Sequence, residues 1–158
     1  MKTMKKALFM LFMLLAICLP SGAQITTSRL SFKDILEGKV IPQAQMHETF
    51  VRGDKLKRLR LDSFHCVRFN TDTSTLEAVE KIIRQDIASS SSAETEVDGG
   101  VLVYAFVDLP ESLFGKKRYL GYQVKPIGSD FSVTILYLTG DTTAWELKKI
   151  IDKRNNGL

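Results

Sequence analysis

The stretch Val101-Leu102-Val103-Tyr104-Ala105-Phe106-Val107-Asp108-Leu109 is apolar at nearly every position and decides the fold class. A strand with only one wet face alternates apolar and polar residues, whereas a run without alternation belongs to an internal strand covered on both faces. Asp98-Gly99-Gly100 punctuate the chain just before it. After it, Tyr119 to Val124 and Phe131 to Leu138 alternate well around Gly128-Ser129-Asp130, which reads as a hairpin continuing an antiparallel meander.

Upstream, Asn70 to Ser74 is a polar break, and Ser74-x-x-Glu77 is a capping box opening a helix in which Leu76, Val79, Ile82, Ile83 and Ile87 form one stripe. Ser89 to Ser92 read as a flexible polar loop after it. Met46 to Val51 and Lys57 to Asn70 read as strands separated by a turn at Arg52-Gly53-Asp54, with Leu59, Leu61, Val67 and Phe69 on one face of the second. Ser31 to Gly38 reads as a short helix with Ser31 as N-cap, Gly38 as its stop, and Phe32, Ile35 and Leu36 inward. Thr143-x-x-Glu146 starts a last helix packed by Leu147, Ile150 and Ile151, and the chain frays at Asn155-Asn156-Gly157. The expectation is a single two-layer α+β domain, mainly antiparallel with about five strands, in the order α-β-β-α-β-β-β-α.

The N-terminus has the order of a secretory leader. Lys2, Lys5 and Lys6 precede an apolar run of 13 residues, Ala7 to Leu19, and Pro20-Ser21-Gly22-Ala23 follow. The run is shorter than the roughly 18 residues a lasting membrane helix needs. Ser21 and Ala23 supply the small side chains that signal peptidase requires, so cleavage is expected between Ala23 and Gln24. Residues 1–23 are then a signal peptide, 24–29 a flexible leader, and 24–158 one domain, periplasmic or secreted, with no transmembrane segment after cleavage. Cys18 ends the apolar run as a lipidated cysteine would, but Ile17 stands where such cysteines carry Gly, Ala or Ser, and Leu19-Pro20 replace a polar tether.

Loss of the leader changes the charge. Three lysines leave and no acid does, so 22 basic residues become 19 against 18 acidic ones, and the near-neutral remainder implies no nucleic-acid partner. Cys66 is the only cysteine after Ala23, which excludes an internal disulfide. It is either a small buried hydrophobe or a bridge between chains.

Catalytic chemistry has few supports here. A cysteine nucleophile needs a base within hydrogen-bond reach, and the chain offers only His47 and His65. His65 is next to Cys66 and so points to the other face of a strand, which leaves His47 with Cys66 as the one dyad that paired strands permit. The histidines lie 18 positions apart with no metal-ligand spacing, and there is no Gly-x-Ser-x-Gly elbow or phosphate-cradling glycine loop. No metal or cofactor is expected. Arg52-Gly53-Asp54 is the tripeptide integrins recognise, although Gly-Asp is equally the composition of an ordinary turn. Arg58 and Arg60 belong to a basic cluster with Arg52, Lys55 and Lys57, which either meets anionic sugar or lipid headgroups or protects an edge strand from pairing. Trp145 lies off the inward stripe of the last helix and either covers a sheet margin or marks a partner site.

Lys116-Lys117-Arg118-Tyr119-Leu120-Gly121-Tyr122, Val133 to Leu138 and Leu147-Lys148-Lys149-Ile150, in this order of elements from Ser31 to Arg154, resemble a family of short exported proteins of Gram-negative gut bacteria classed as a domain of unknown function. The resemblance implies an exported location and no assigned activity. The functional expectation is a non-catalytic interaction or binding module for an unknown protein or envelope component. The alternative is a small cysteine-dependent hydrolase using Cys66 and His47. If both long helices cover one side of the sheet, the other side of the meander is left as an apolar interaction face, on which Leu102, Tyr104 and Phe106 are the candidates.

Overall fold

A computed structural model describes residues 30–147 and 149. The expected leader, its cleavage site at Ala23 and Gln24, Cys18, Ile150, Ile151 and the frayed tail lie outside the described residues. Among those described, an antiparallel sheet of six strands is packed by helices: β1 (His47–Arg52), β2 (Leu61–Thr71), β3 (Ser92–Asp98), β4 (Val101–Leu109), β5 (Lys117–Ile127) and β6 (Asp130–Gly140). The helices are α1 (Lys33–Leu36), α2 (Asp54–Lys57) and α3 (Thr73–Ala88), with a 3-10 turn at Gln43–Gln45 and helical residues at 144–147 and 149.

The spatial order β1-β2-β6-β5-β4-β3 explains how the sheet closes. From β2 the chain crosses one face as α3 to reach the far edge, then returns as a meander until β6 zips against β2 from Leu61/Gly140 to Thr71/Phe131. The β5–β6 hairpin turns on Gly128-Ser129, with φ 60 at Gly128, where a II′ turn reserves its first central position for glycine.

The sixth strand, β3, is the element absent from the expected five. Its sequence Ser-Ala-Glu-Thr-Glu-Val-Asp is polar because it is an edge strand with most side chains in water. It joins β4 through Gly99-Gly100, both at positive φ, as a type I′ hairpin demands.

Two other boundaries move. Lys57 to Arg60 is not strand: Asp54–Lys57 is a helical turn entered from Gly53 at φ 86, and β2 begins at Leu61. The long helix is capped by Asp72, whose Oδ1 accepts from the Thr75 N–H at 2.8 Å, so it starts upstream of the Ser74 box. α1 also lacks the expected Ser31 cap. Instead the carboxylate of Asp86, more than fifty residues away on α3, accepts from the Ser31 and Phe32 N–H groups at 2.8 Å each. Burial pushes the Asp86 carboxyl up, and these two donors pull it back.

Bulges decide which face each residue sees. Between Glu96/Tyr104 and Val97/Leu102, β4 advances two residues for one of β3, so Val103 is the extra residue. Leu102 therefore joins Ala105 and Val107 on the α3 side, while Tyr104 and Phe106 face the other way. A similar shift between Leu61 and Ser63 places Leu61 opposite Val67 and Phe69.

Both faces carry a core. On one, α1 and α3 cover Val67, Phe69, Leu120, Tyr122 and Ile135 with Ile35, Leu76, Val79 and Ile83. On the other, Leu56 of α2 and Leu147 pack over Phe64, Cys66, Phe106, Tyr119, Leu136 and Leu138. The expectation that both helical covers share one side is thus corrected: the sheet needs cover on both faces, and the short α2 with the last helical segment supplies the second.

Candidate functional site

Leu102, Tyr104 and Phe106 are 0, 5 and 6% exposed, so they are core residues and form no open interaction face. Leu102 faces the α3 layer, and Phe106 stacks on Tyr119 with ring centroids 5.6 Å apart. The continuous apolar run of β4 concealed this because a bulge shifts which residues share a face and because the second cover comes from elements of low apolar content.

Cys66 is buried in the same second core. Burial pushes its thiol up to about 11, against a smaller opposing effect of Arg68. In the β1–β2 register Cys66 faces Thr49, and His47 faces Arg68. His47 is then a diagonal neighbour at about 7–8 Å between backbones, exposed at the start of an edge strand. His65 turns to the other face, where its Nε2 meets Glu48 Oε1 at 2.5 Å, and burial holds its pKa below the ordinary value although Glu48 raises it. A thiol so protonated is a poor nucleophile. In the chain from Gln24 onward, iodoacetamide should label Cys66 slowly in the native state at neutral pH, with a rate that climbs only toward pH 11. Fast labelling near pH 7 would contradict the burial described here.

Arg58, Arg60 and Trp145 do come together. They line a cleft of about 300 Å³ with Leu59, Thr142, Glu146 and Lys149, at the end of the sheet where β6 stops and β2 starts. Because β2 lies between β1 and β6, the two arginines do not protect an edge strand. They belong to the turn that leaves α2.

The local backbone explains the arrangement. Arg60 is the one described non-glycine residue with positive φ, 55°, a conformation that costs about 1 kcal/mol or more for a side chain with a Cβ. In that conformation its carbonyl accepts from the N–H groups of Asp141 and Thr142 at 2.9 and 3.2 Å, and its guanidinium reaches Glu146 Oε1 at 2.6 Å. Glu146 in turn completes the expected capping box: its Oε2 accepts from the Thr143 N–H at 2.7 Å, and Thr143 Oγ1 accepts from the Glu146 N–H at 3.1 Å. The strained turn therefore orients the last helical segment.

Trp145, the only tryptophan of the chain, is left 66% exposed beside the cleft, with Lys149 Nζ 4.3 Å from the ring centroid. Of the two readings of this residue, cover for the sheet margin is corrected: a side chain two thirds in water covers little. The cleft offers cations, an aromatic face and a carboxylate already engaged by Arg60, which is equipment for holding an anionic or mixed polar and apolar group.

The β4–β5 loop adds a feature that sequence reading missed. Leu113 and Phe114 are 92 and 91% exposed at its tip. The loop is ordered by its own hydrogen bonds: the Ser112 N–H donates to the Lys116 carbonyl at 3.0 Å, the Gly115 N–H to the Ser112 carbonyl at 2.9 Å, and the Lys116 N–H to Ser112 Oγ at 3.1 Å. Lys116 Nζ ties the loop to Asp141 Oδ2 at 2.8 Å and Asp62 Oδ2 at 3.1 Å, beside the Arg60 turn. The sequence signal was two adjacent large apolar residues between Pro110 and Gly115, outside any periodic segment.

An α+β domain with an antiparallel sheet cored on both faces and a basic, aromatic cleft at one end is the class these features define. The chain belongs to a family of unknown function, DUF6108, whose model matches residues 19–151. No curated protein matches it.

Proposed function

We propose that this protein is an exported, non-catalytic binding module, periplasmic or secreted, that engages an envelope component or another protein through the sheet end bearing Arg58, Arg60, Trp145 and Lys149. The observation that carries the reading is Trp145, a large amphipathic ring held in water beside a cleft whose backbone is strained to keep its shape. Strain at an otherwise unremarkable turn is retained where geometry matters, and exposed tryptophan and arginine are the residues that dominate binding energy at interfaces.

Export is supported by the order of Lys2 to Lys6, the apolar run and Ser21-Gly22-Ala23. Among the described residues no helix is long and apolar enough to cross a membrane. Against the hydrolase built on Cys66 and His47 stand the buried, protonated thiol and the outward placement of the histidine.

The test is retention of the tagged protein's partner from its own envelope extract after mild cross-linking, in the wild type and in the double variant Arg58→Glu, Trp145→Ala. Both positions are exposed, so the variant should keep the wild-type melting temperature. The reading expects a discrete adduct that the variant loses. An adduct retained at full yield by the variant would move the binding surface elsewhere.

A further inference from the structure

We infer that the Leu113-Phe114 tip is a membrane-docking finger that seats the protein on an anionic lipid surface; the inference rests on the binding-module reading and names its target.

Four observations converge. First, Leu113 and Phe114 are adjacent and more than nine-tenths exposed, whereas the other exposed large apolar residues among those described, Val97, Ile127 and Trp145, stand singly and are less exposed. Single exposed apolar residues are ordinary, but two together at a convex tip act as a wedge. Second, the hydrogen bonds from Ser112 to Lys116 hold the tip in shape, so insertion carries little ordering cost.

Third, Trp145 emerges at the same end. The chain of contacts is continuous: Lys116 binds Asp141, the Asp141 N–H donates to the Arg60 carbonyl, and Arg60 lines the cleft with Trp145. Tryptophan prefers the level of lipid headgroups, with its ring in the apolar boundary and its N–H in the polar layer.

Fourth, the cations stand where headgroup phosphates would lie. Lys116 and Lys117 are at the base of the finger, and Arg58 and Lys149 line the cleft behind it. The ammoniums of Lys116 and Lys117 are paired with Asp62, Asp141 and Glu111 on the surface, with all these side chains between 37 and 57% exposed. Such solvated pairs are weak and exchange readily for phosphate oxygens. A bilayer uses the tip, the tryptophan and the cations together, at their successive depths, and this favours lipid.

The experiment is co-sedimentation of the processed protein, its start verified by intact mass, with vesicles of phosphatidylcholine alone and of an equal mixture with phosphatidylglycerol. The wild type should bind the anionic vesicles and bind the neutral ones at least tenfold more weakly. Leu113→Ser with Phe114→Ser should lower anionic binding at least tenfold with an unchanged melting temperature, because both side chains are in water. Lys117→Glu with Arg58→Glu should also weaken it, and should reduce the loss of binding that added salt causes in the wild type. No binding of the wild type to anionic vesicles, or equal binding by the serine variant, overturns the inference. If vesicle binding is absent while the envelope adduct persists and depends on Trp145, the partner is a protein: the lipid inference falls and the binding module stands.

Discussion

Replacing Leu147 by Ala should lower the stability of the domain by about 2–5 kcal/mol, the range for deleting a fully buried leucine from a core that collapses only in part. Leu147 is 1% exposed and packs in the second core with Leu56, Tyr119 and Leu138. That core has a thin lid, and α2 contributes only Leu56 as a fully buried apolar side chain. Among the described residues, little else is available to move into the space. The loss should also reach the cleft, because residues 144–147 carry Trp145 and Glu146 on the turn that places Leu147. Urea denaturation reads the first effect, and the intrinsic fluorescence of the sole tryptophan reads the second. An unchanged midpoint would mean that the last helical segment is peripheral and that something else closes the second face.

A comparable loss, about 3 kcal/mol, is expected for Asp86→Ala. The carboxylate is the shared acceptor of two backbone donors, the N–H groups of Ser31 and Phe32, with Asp86 itself 2% exposed and Phe32 fully buried. Hydrogen bonds to a charged acceptor are worth about 1.5–3 kcal/mol each, and a buried donor left alone costs about as much as the bond it lost. Part of this is offset by removing a carboxylate that burial disfavours, as its raised pKa indicates. Asp86→Asn separates the two contributions: it keeps one carbonyl acceptor and sheds the charge, so it should fall between wild type and alanine. The damage should appear as early hydrogen exchange at Phe32 to Leu36, since this contact fastens α1 to α3. Equal exchange in wild type and Asp86→Ala would show that α1 is held by its apolar face alone, through Phe32 and Ile35.

These two residues also mark what the sequence could and could not convey. Leu147 was legible because Thr143 and Glu146 announce a helix start and the apolar residue that follows must go inward. The strands β4 to β6 and the stripe of α3 were legible for the same reason: apolar periodicity is written locally. Asp86 was not, because its role depends on a helix that arrives from more than fifty residues upstream. β3 was hidden by its exposure, which leaves Glu94 and Glu96 in a strand that satisfies its hydrogen bonds on one side only. The bulges at Val103 and near Leu61 each shifted the alternation by one position, and one such shift exchanges faces.

The site follows the same pattern. Arg58, Arg60 and Trp145 stood out as residue types, yet their meeting depends on the left-handed turn at Arg60 and on Gly140, whose missing side chain permits the approach. A Cβ there would lie 2.5 Å from the Arg60 carbonyl oxygen. No local pattern encodes that contact. Leu113 and Phe114 carry no local mark of their exposure, because apolar residues outside a period are equally the composition of a covered loop.

The claim that this sheet end is where the protein binds is tested most directly by Trp145, whose emission reports from the cleft itself. The measurement is the emission of the protein carrying 7-azatryptophan in place of its one tryptophan, excited beyond the tryptophan band, during titration with soluble and membrane fractions of an envelope extract, with acrylamide quenching at each point. The account predicts a saturable blue shift with loss of quenching, absent when Arg58 is replaced by Glu and Leu113 and Phe114 by Ser. An emission that stays red and fully quenchable in a sample where the protein is demonstrably bound would place the binding surface elsewhere and contradict it.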